Sequence, residues 1–194
     1  MNPFVWLQSL VTFRKSGGGL VVPELDASGR IRVTTVTANP VVVGTTPPSV
    51  VDGSELWVNT NAGYEGLYFR DQTRAKWLST EAARYGFGHD NADNQLLRPD
   101  GVNTPQTGTG HRLPRDGTIV SYAALAAGGQ TGKNLLIRIN GSTVATMTMS
   151  GLALTNTSLN INFSANDRLD IFVDAPGTNV QDVVADVFVR WRDS

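Results

Sequence analysis

The sequence predicts an all-β protein: an N-terminal arm and a small β-meander, followed by a C-terminal antiparallel β-sandwich or jelly roll. Three observations carry this. Runs of strand length, rich in Val, Ile and Thr, alternate apolar and polar residues with period two. Turn residues punctuate the C-terminal runs at roughly 8–12-residue intervals. From residue 21 onward, no stretch carries the 3.6-residue apolar repeat of a helix.

Residues 1–20 form the expected arm. The stretch 1–13, MNPFVWLQSLVTF, is uncharged and apolar, and Arg14, Lys15 and a triple glycine follow it. A secretory signal has its positive charges before the apolar stretch, so this order reads instead as a short amphipathic segment and a glycine hinge. Phe4, Trp6, Leu7, Leu10 and Phe13 either pack on the chain's own core or dock on another subunit, since so much apolar surface is costly to leave in water.

Residues 21–85 form the expected small β domain. LVVPEL is followed by the turn Asp26-Ala27-Ser28-Gly29 and then by a Val/Thr-rich run from Arg30, a composition that suits a pleated surface. Val41-Val42-Val43 follows Pro40. ELWV (55–58), GLYFR (66–70) and AKWLS (75–79) read as a three-stranded meander with Asn/Gly- and Asp/Thr-rich turns. Residues 86–117 are dense in Gly, Asn, Asp, Pro and Thr, and read as a linker.

Residues 118–194 hold the sandwich. Strands are expected at 118–124, 134–140, 142–149, 159–163, 167–173 and 182–191. Leu135, Ile137 and Ile139 alternate with Arg138 and Asn140, as Val183, Ala185, Val187, Val189 and Trp191 do with Asp186 and Arg190. Asn140-Gly141 between two such runs is the strongest short-range hairpin signal in the chain.

Composition narrows the function. Lys+Arg 16 against Asp+Glu 17 gives a net charge of −1, which supplies no field for a polyanion, so nucleic acid is not an expected partner. Cysteine is absent, which removes disulfides, thiolate metal sites and thiol nucleophiles. No apolar run approaches the ~20 residues of a membrane helix, and no membrane partner is expected.

Candidate chemistry is sparse, and neither an enzyme, a metal nor a cofactor is expected. Ala127-Gly128-Gly129-Gln130-Thr131-Gly132-Lys133-Asn134 is close to a phosphate-binding loop, but a strand-like run follows where a helix is required, so it reads as a glycine-rich turn. His89, beside Asp90 and Asp93, and His111 fall in the irregular stretch and lack the spacing of a zinc site. Asp167 with Asp170, or Asp182 with Asp186, are the available carboxylate pairs, and nothing in the sequence places either pair in a cleft. Tyr68, Arg70, Arg74, Trp77 and Tyr85 form an aromatic–arginine cluster in sequence. Such a cluster suits an interface or glycan contacts, or simply the core of the meander.

Two segments carry a resemblance. Gly66-Leu67-Tyr68-Phe69-Arg70-Asp71-Gln72-Thr73-Arg74-Ala75-Lys76-Trp77-Leu78-Ser79 resembles a strand–turn–strand stretch of tailed-bacteriophage virion proteins. The block 113–192, with LPRDGTI, IRINGS, FSANDRL and VFVRW, resembles the jelly-roll modules of phage fibres and capsid decoration proteins. The resemblance implies a non-enzymatic homotrimer on the capsid surface, a decoration or cement protein whose partner is the major capsid protein. A receptor-binding, glycan-binding module of a tail fibre or spike is the alternative it implies.

Overall fold

The computed structural model describes residues 13–14, 20–25, 31–36, 41–49, 56–100 and 108–193. The chain is all-β, with no helix among the described residues. In chain order the strands are β1 (Phe13–Arg14), β2 (Leu20–Leu25), β3 (Ile31–Val36), β4 (Val42–Gly44), β5 (Leu56–Asn59), β6 (Gly66–Asp71), β7 (Lys76–Ala92), β8 (Gln95–Leu96) and β9 (Arg98–Pro99). There follow β10 (His111–Arg112), β11 (Gly117–Leu125), β12 (Asn134–Ile139), β13 (Ser142–Thr148), β14 (Ala153–Asn156), β15 (Ile161–Phe163), β16 (Arg168–Asp174) and β17 (Val180–Arg192).

They make three sheets. β1, β2 and β3 form an antiparallel set. A five-stranded antiparallel sheet runs β10-β16-β12-β13, with β8 also on β16. A nine-stranded sheet runs β14-β11-β17-β7-β6-β5-β4, with β15 also on β11 and β9 on β7. Its one parallel pair is β4 on β5.

The sandwich lies between the five-stranded sheet and the β14-β11-β17-β7 half of the larger one. Period-two alternation puts Leu135, Ile137, Leu169, Ile171 and Val173 of the first sheet inward. Ile119, Tyr122, Phe87, Val183, Val187 and Val189 face them from the second, all buried in one core. Asn140 and Gly141 take φ of 51° and 85° and join β12 to β13, with Ile139 paired to Ser142. Positive φ at both central residues is the type I′ requirement, so the hairpin forms where the sequence places it.

The expected linker differs most. Residues 86–92 complete β7 and pair with β17 from Val180↔Ala92 to Asp186↔Gly86. Within the same 86–117 stretch, β8, β9 and β10 add to the sheets. Glycine density suggested a loop because Gly86 and Gly88 alternate with Phe87 and His89. The strand tolerates them because its neighbours supply the hydrogen bonds and Phe87 supplies the core contact. β14 also forms outside the expected strands, beside β11.

A second, smaller core belongs to the meander. Trp57, Tyr68 and Trp77 are buried together with Val42 against them. The Trp57 ring lies 5.2 Å from Tyr68 and 5.9 Å, edge-on, from Trp77, geometries that add to area burial. Trp57 Nε1 donates to the Gly44 carbonyl at 3.0 Å, which fixes β4 beside β5.

Ile137 is fully buried at the centre of the sandwich. Ile137→Ala is expected to cost about 2–5 kcal/mol, read as a lower denaturant midpoint with an unchanged slope. Gly141→Val puts a branched side chain at φ 85° and is expected to cost about 1–2 kcal/mol while leaving the core intact.

Candidate functional site

The aromatic–arginine cluster separates in space. Tyr68 is fully buried and Trp77 is 8% exposed. Both are core residues, and neither is presented to a ligand or partner. The Tyr68 hydroxyl donates to the Tyr64 carbonyl at 3.0 Å and accepts from Arg115 Nη2 at 3.0 Å. Arg70 is half-buried, and its Nε is enclosed without a hydrogen-bond partner. Tyr85 packs its ring 5.0 Å from that of His111, and burial pushes its phenol up from the ordinary value.

Arg74 is a structural clamp. From the β6–β7 turn its Nε donates to the Leu159 carbonyl at 2.6 Å, and its Nη2 to those of Val120 and Thr157 at 2.8 and 2.7 Å. Its Nη1 pairs with Asp71 at 2.7 Å. The meander turn is thereby tied to β11 and to the β14–β15 connection. Burial alone pushes the Asp71 carboxyl up, but the backbone N–H and guanidinium of Arg74 outweigh it and hold the group below the ordinary range. Arg115 makes a second tie. Its guanidinium stacks over Tyr64 and Trp191 at 5.7 and 5.9 Å while bonding Tyr68. The sequence gives no sign that these arginines are spoken for, because their partners are carbonyls distant in the chain.

Of the expected arm residues, Phe4, Trp6, Leu7 and Leu10 lie outside the described residues, and Phe13 starts β1. Among the described residues, exposed large apolar side chains lie on the sandwich, where Leu125 pairs across to Val184 and Leu152 and Val144 are also open, and on the meander. Strand register puts Val43, Val58 and Leu67 in one cross-strand row, and Leu56 and Phe69 in the next. Val41 precedes β4 on the same side. These residues share the face opposite Trp57 and Tyr68. Val41 is 50% exposed, Val43 66%, Leu56 38% and Leu67 39%. Arg190 lies over Phe69 at 5.1 Å and borders the patch. No charged side chain interrupts these two rows.

A groove of about 440 Å³ lies on the outer face of the sandwich's larger sheet. Gly86 and Gly88 form its floor. Arg84 pairs with Asp186 at 2.8 Å on one wall, and Arg98 with Asp90 at 3.4 Å on another. Burial, then the charge of Arg98, lowers the His89 pKa, so the ring is neutral and its Nδ1 accepts the Asn91 N–H at 3.1 Å. Its 3.0 Å approach to Asp90 is accordingly not an ion pair. His111 Nε2 donates to the Gly86 carbonyl at 3.1 Å.

The carboxylates considered as pairs have separate duties. Asp167 accepts from Asn140 Nδ2 and Ser164 N at 2.7 Å each. Asp186 holds Arg84, and Asp182 is exposed in β17 at φ 46°. Asp170 is buried between Arg138 and Arg168. The phosphate-loop-like segment is a turn between β11 and β12, with Gly129 against the Asn179 carbonyl. Among the described residues no three His, Cys, Asp or Glu side chains cluster to hold a metal.

No family model matches the chain, and no curated protein matches it. One solved structure, "Crystal Structure of FLHE", aligns over 58% of this chain and 99% of its own at 12% identity and a TM-score of 0.33. That likeness carries no inference about fold or function.

Arg74→Ala removes the donor for three carbonyls and leaves Asp71 without its counter-ion. It is expected to cost about 3 kcal/mol, measured by chemical denaturation. Asp71 adds stability above its unfolded pKa of about 4, and this stability is lost as pH falls through its lower folded value. Asp71→Asn is therefore expected to flatten the acid limb of the stability profile.

Proposed function

We propose that this chain is a non-enzymatic structural protein of a tailed-phage virion, which decorates the capsid and binds the major capsid protein through the open face of its meander. The observation that carries the reading is that face: two cross-strand rows of Val, Leu and Phe, uninterrupted by charge. A sheet whose one face is buried and whose other face is also apolar suits coverage on both sides. Contiguous exposed apolar surface of this kind marks protein contacts. The resemblance of residues 66–79 and 113–192 to virion proteins supplies the particle. In this reading the residue 1–20 arm adds a second contact, the sandwich projects away from the shell, and the chain assembles as a homotrimer.

Val43→Asp and Leu67→Asp change exposed positions, so folding measured by circular dichroism is expected to be unchanged. Binding to particles stripped of this chain is expected to fall at least about tenfold for each, a loss of roughly 1.4 kcal/mol. Deleting residues 1–19 is expected to leave a folded protein with reduced occupancy. Antibody label spread over the icosahedral shell in electron micrographs supports the reading. Label confined to the tail tip overturns it, as does full occupancy by both aspartate variants.

A further inference from the structure

The outer face of the five-stranded sheet holds a second concavity, a cup of about 260 Å³. It sits where β16 lacks a continuous outer neighbour. β10 pairs with residues 168 and 169, and β8 with residues 172 and 173. Asp170 lies between them and lines the cup. Alternation directs its side chain outward, since Leu169 and Ile171 fill the core, yet it is only 1% exposed. Its Oδ2 accepts from Arg168 Nε at 3.2 Å. Its Oδ1 is enclosed, 3.5 Å from Arg138 Nε, and has no hydrogen-bond partner.

A buried carboxylate oxygen without a donor is costly, and Arg138 does not supply one. It sends both Nε and Nη2 to the Gly141 carbonyl, at 2.9 and 2.6 Å, and stacks over Phe172 at 5.3 Å. Burial pushes the Asp170 carboxyl up despite both guanidinium groups, which agrees with an acceptor left short of donors. The missing group must therefore donate to Oδ1 while standing beside two cations.

We propose that the cup is a carbohydrate site that takes one neutral sugar ring, with a hydroxyl donating to Asp170 Oδ1 and accepting from a guanidinium N–H. The sign pattern selects this chemistry. An ammonium ion is repelled by Arg138 and Arg168, and an anion has no proton to donate to Oδ1. A hydroxyl is both donor and acceptor and satisfies both partners without a net charge. Phe172 and Leu96 line the same cup and give the C–H face of a ring an apolar wall. A sugar ring presents adjacent hydroxyls beside such a face, as mostly apolar sites with a few convergent polar groups require. The proposal does not rest on capsid decoration, because the cup is on the other sheet from the meander's open face.

The test uses the full chain and saturation-transfer NMR with glucose, galactose, mannose and N-acetylglucosamine, each at about 10 mM, well above a millimolar Kd. At least one sugar is expected to give transfer. Asp170→Asn and Arg168→Gln are each expected to weaken it about tenfold or more. Val43→Asp, on the meander, is expected to leave sugar binding unchanged while it loses particle binding, which separates the two readings. If Asp170→Asn does not fold, Arg168→Gln decides, since its side chain is on the rim. Silence from all four sugars means that the cup holds water only and overturns the proposal. Equal binding by the wild type and the folded variants overturns it as well.

Discussion

The pairing of β7 with β17 is the constraint on which the rest of the structure depends. β7 has 17 residues and β17 has 13, and they run antiparallel from Val180↔Ala92 to Arg192↔Leu78. The start of β7, Lys76 to Ser79, also carries β6, from Tyr68↔Ser79 to Asp71↔Lys76. One strand thus belongs to the meander at its start and to the sandwich at its end. The register shift between Arg190 and Arg192 lets it serve both, since extra residues in one strand bend and twist the ladder locally. At this bend Ser79 Oγ accepts the Trp191 N–H at 3.0 Å and donates to the Glu81 carbonyl at 2.7 Å.

Two arginines make the junction stiff. A shared strand alone is a hinge, because strand pairing constrains only one line of contact. Arg74 ties the meander's turn to carbonyls at Val120, Thr157 and Leu159, and Arg115 joins Tyr64 and Tyr68 of the meander to Trp191 of β17. Charge-assisted bonds to carbonyls hold position better than neutral ones. The meander core is only three large aromatics and Val42, and so small a core gains much from being fixed to a larger one.

This architecture leaves surfaces of different character. The meander's open face is apolar, with the Arg190 guanidinium at its border over Phe69, which suits a protein partner. The five-stranded sheet offers a small, polar, mixed-sign cup with a buried acceptor. The glycine-floored groove lies across the opposite sheet of the sandwich and is rimmed by two ion pairs, Arg84 with Asp186 and Arg98 with Asp90. A scaffold of two sheets and a side meander can carry these surfaces independently, because outward residues of a strand alternate with the core residues and do not share their packing.

The sequence by itself determined the fold class, the strands of the C-terminal block other than β14, and the Asn140-Gly141 turn. Those depend on local signals: period-two alternation and the positive φ of two adjacent residues. It also indicated the meander through Leu56–Asn59, Gly66–Asp71 and the start of β7. Only the tertiary structure decided that residues 86–92 are a strand, because pairing with β17 overrides the loop preference of Gly86 and Gly88. It likewise decided that Tyr68, Trp77 and Arg74 are interior or clamp residues, since Trp77 packs on Trp57, Tyr68 is held by Arg115 47 residues away, and Arg74 by carbonyls 46 to 85 residues away. Asp170 reads from the sequence as one more polar residue on a strand's outer face. Its burial follows from Arg138 and Arg168 closing over it from both sides, and that placement is a property of three-dimensional register, which no local pattern encodes.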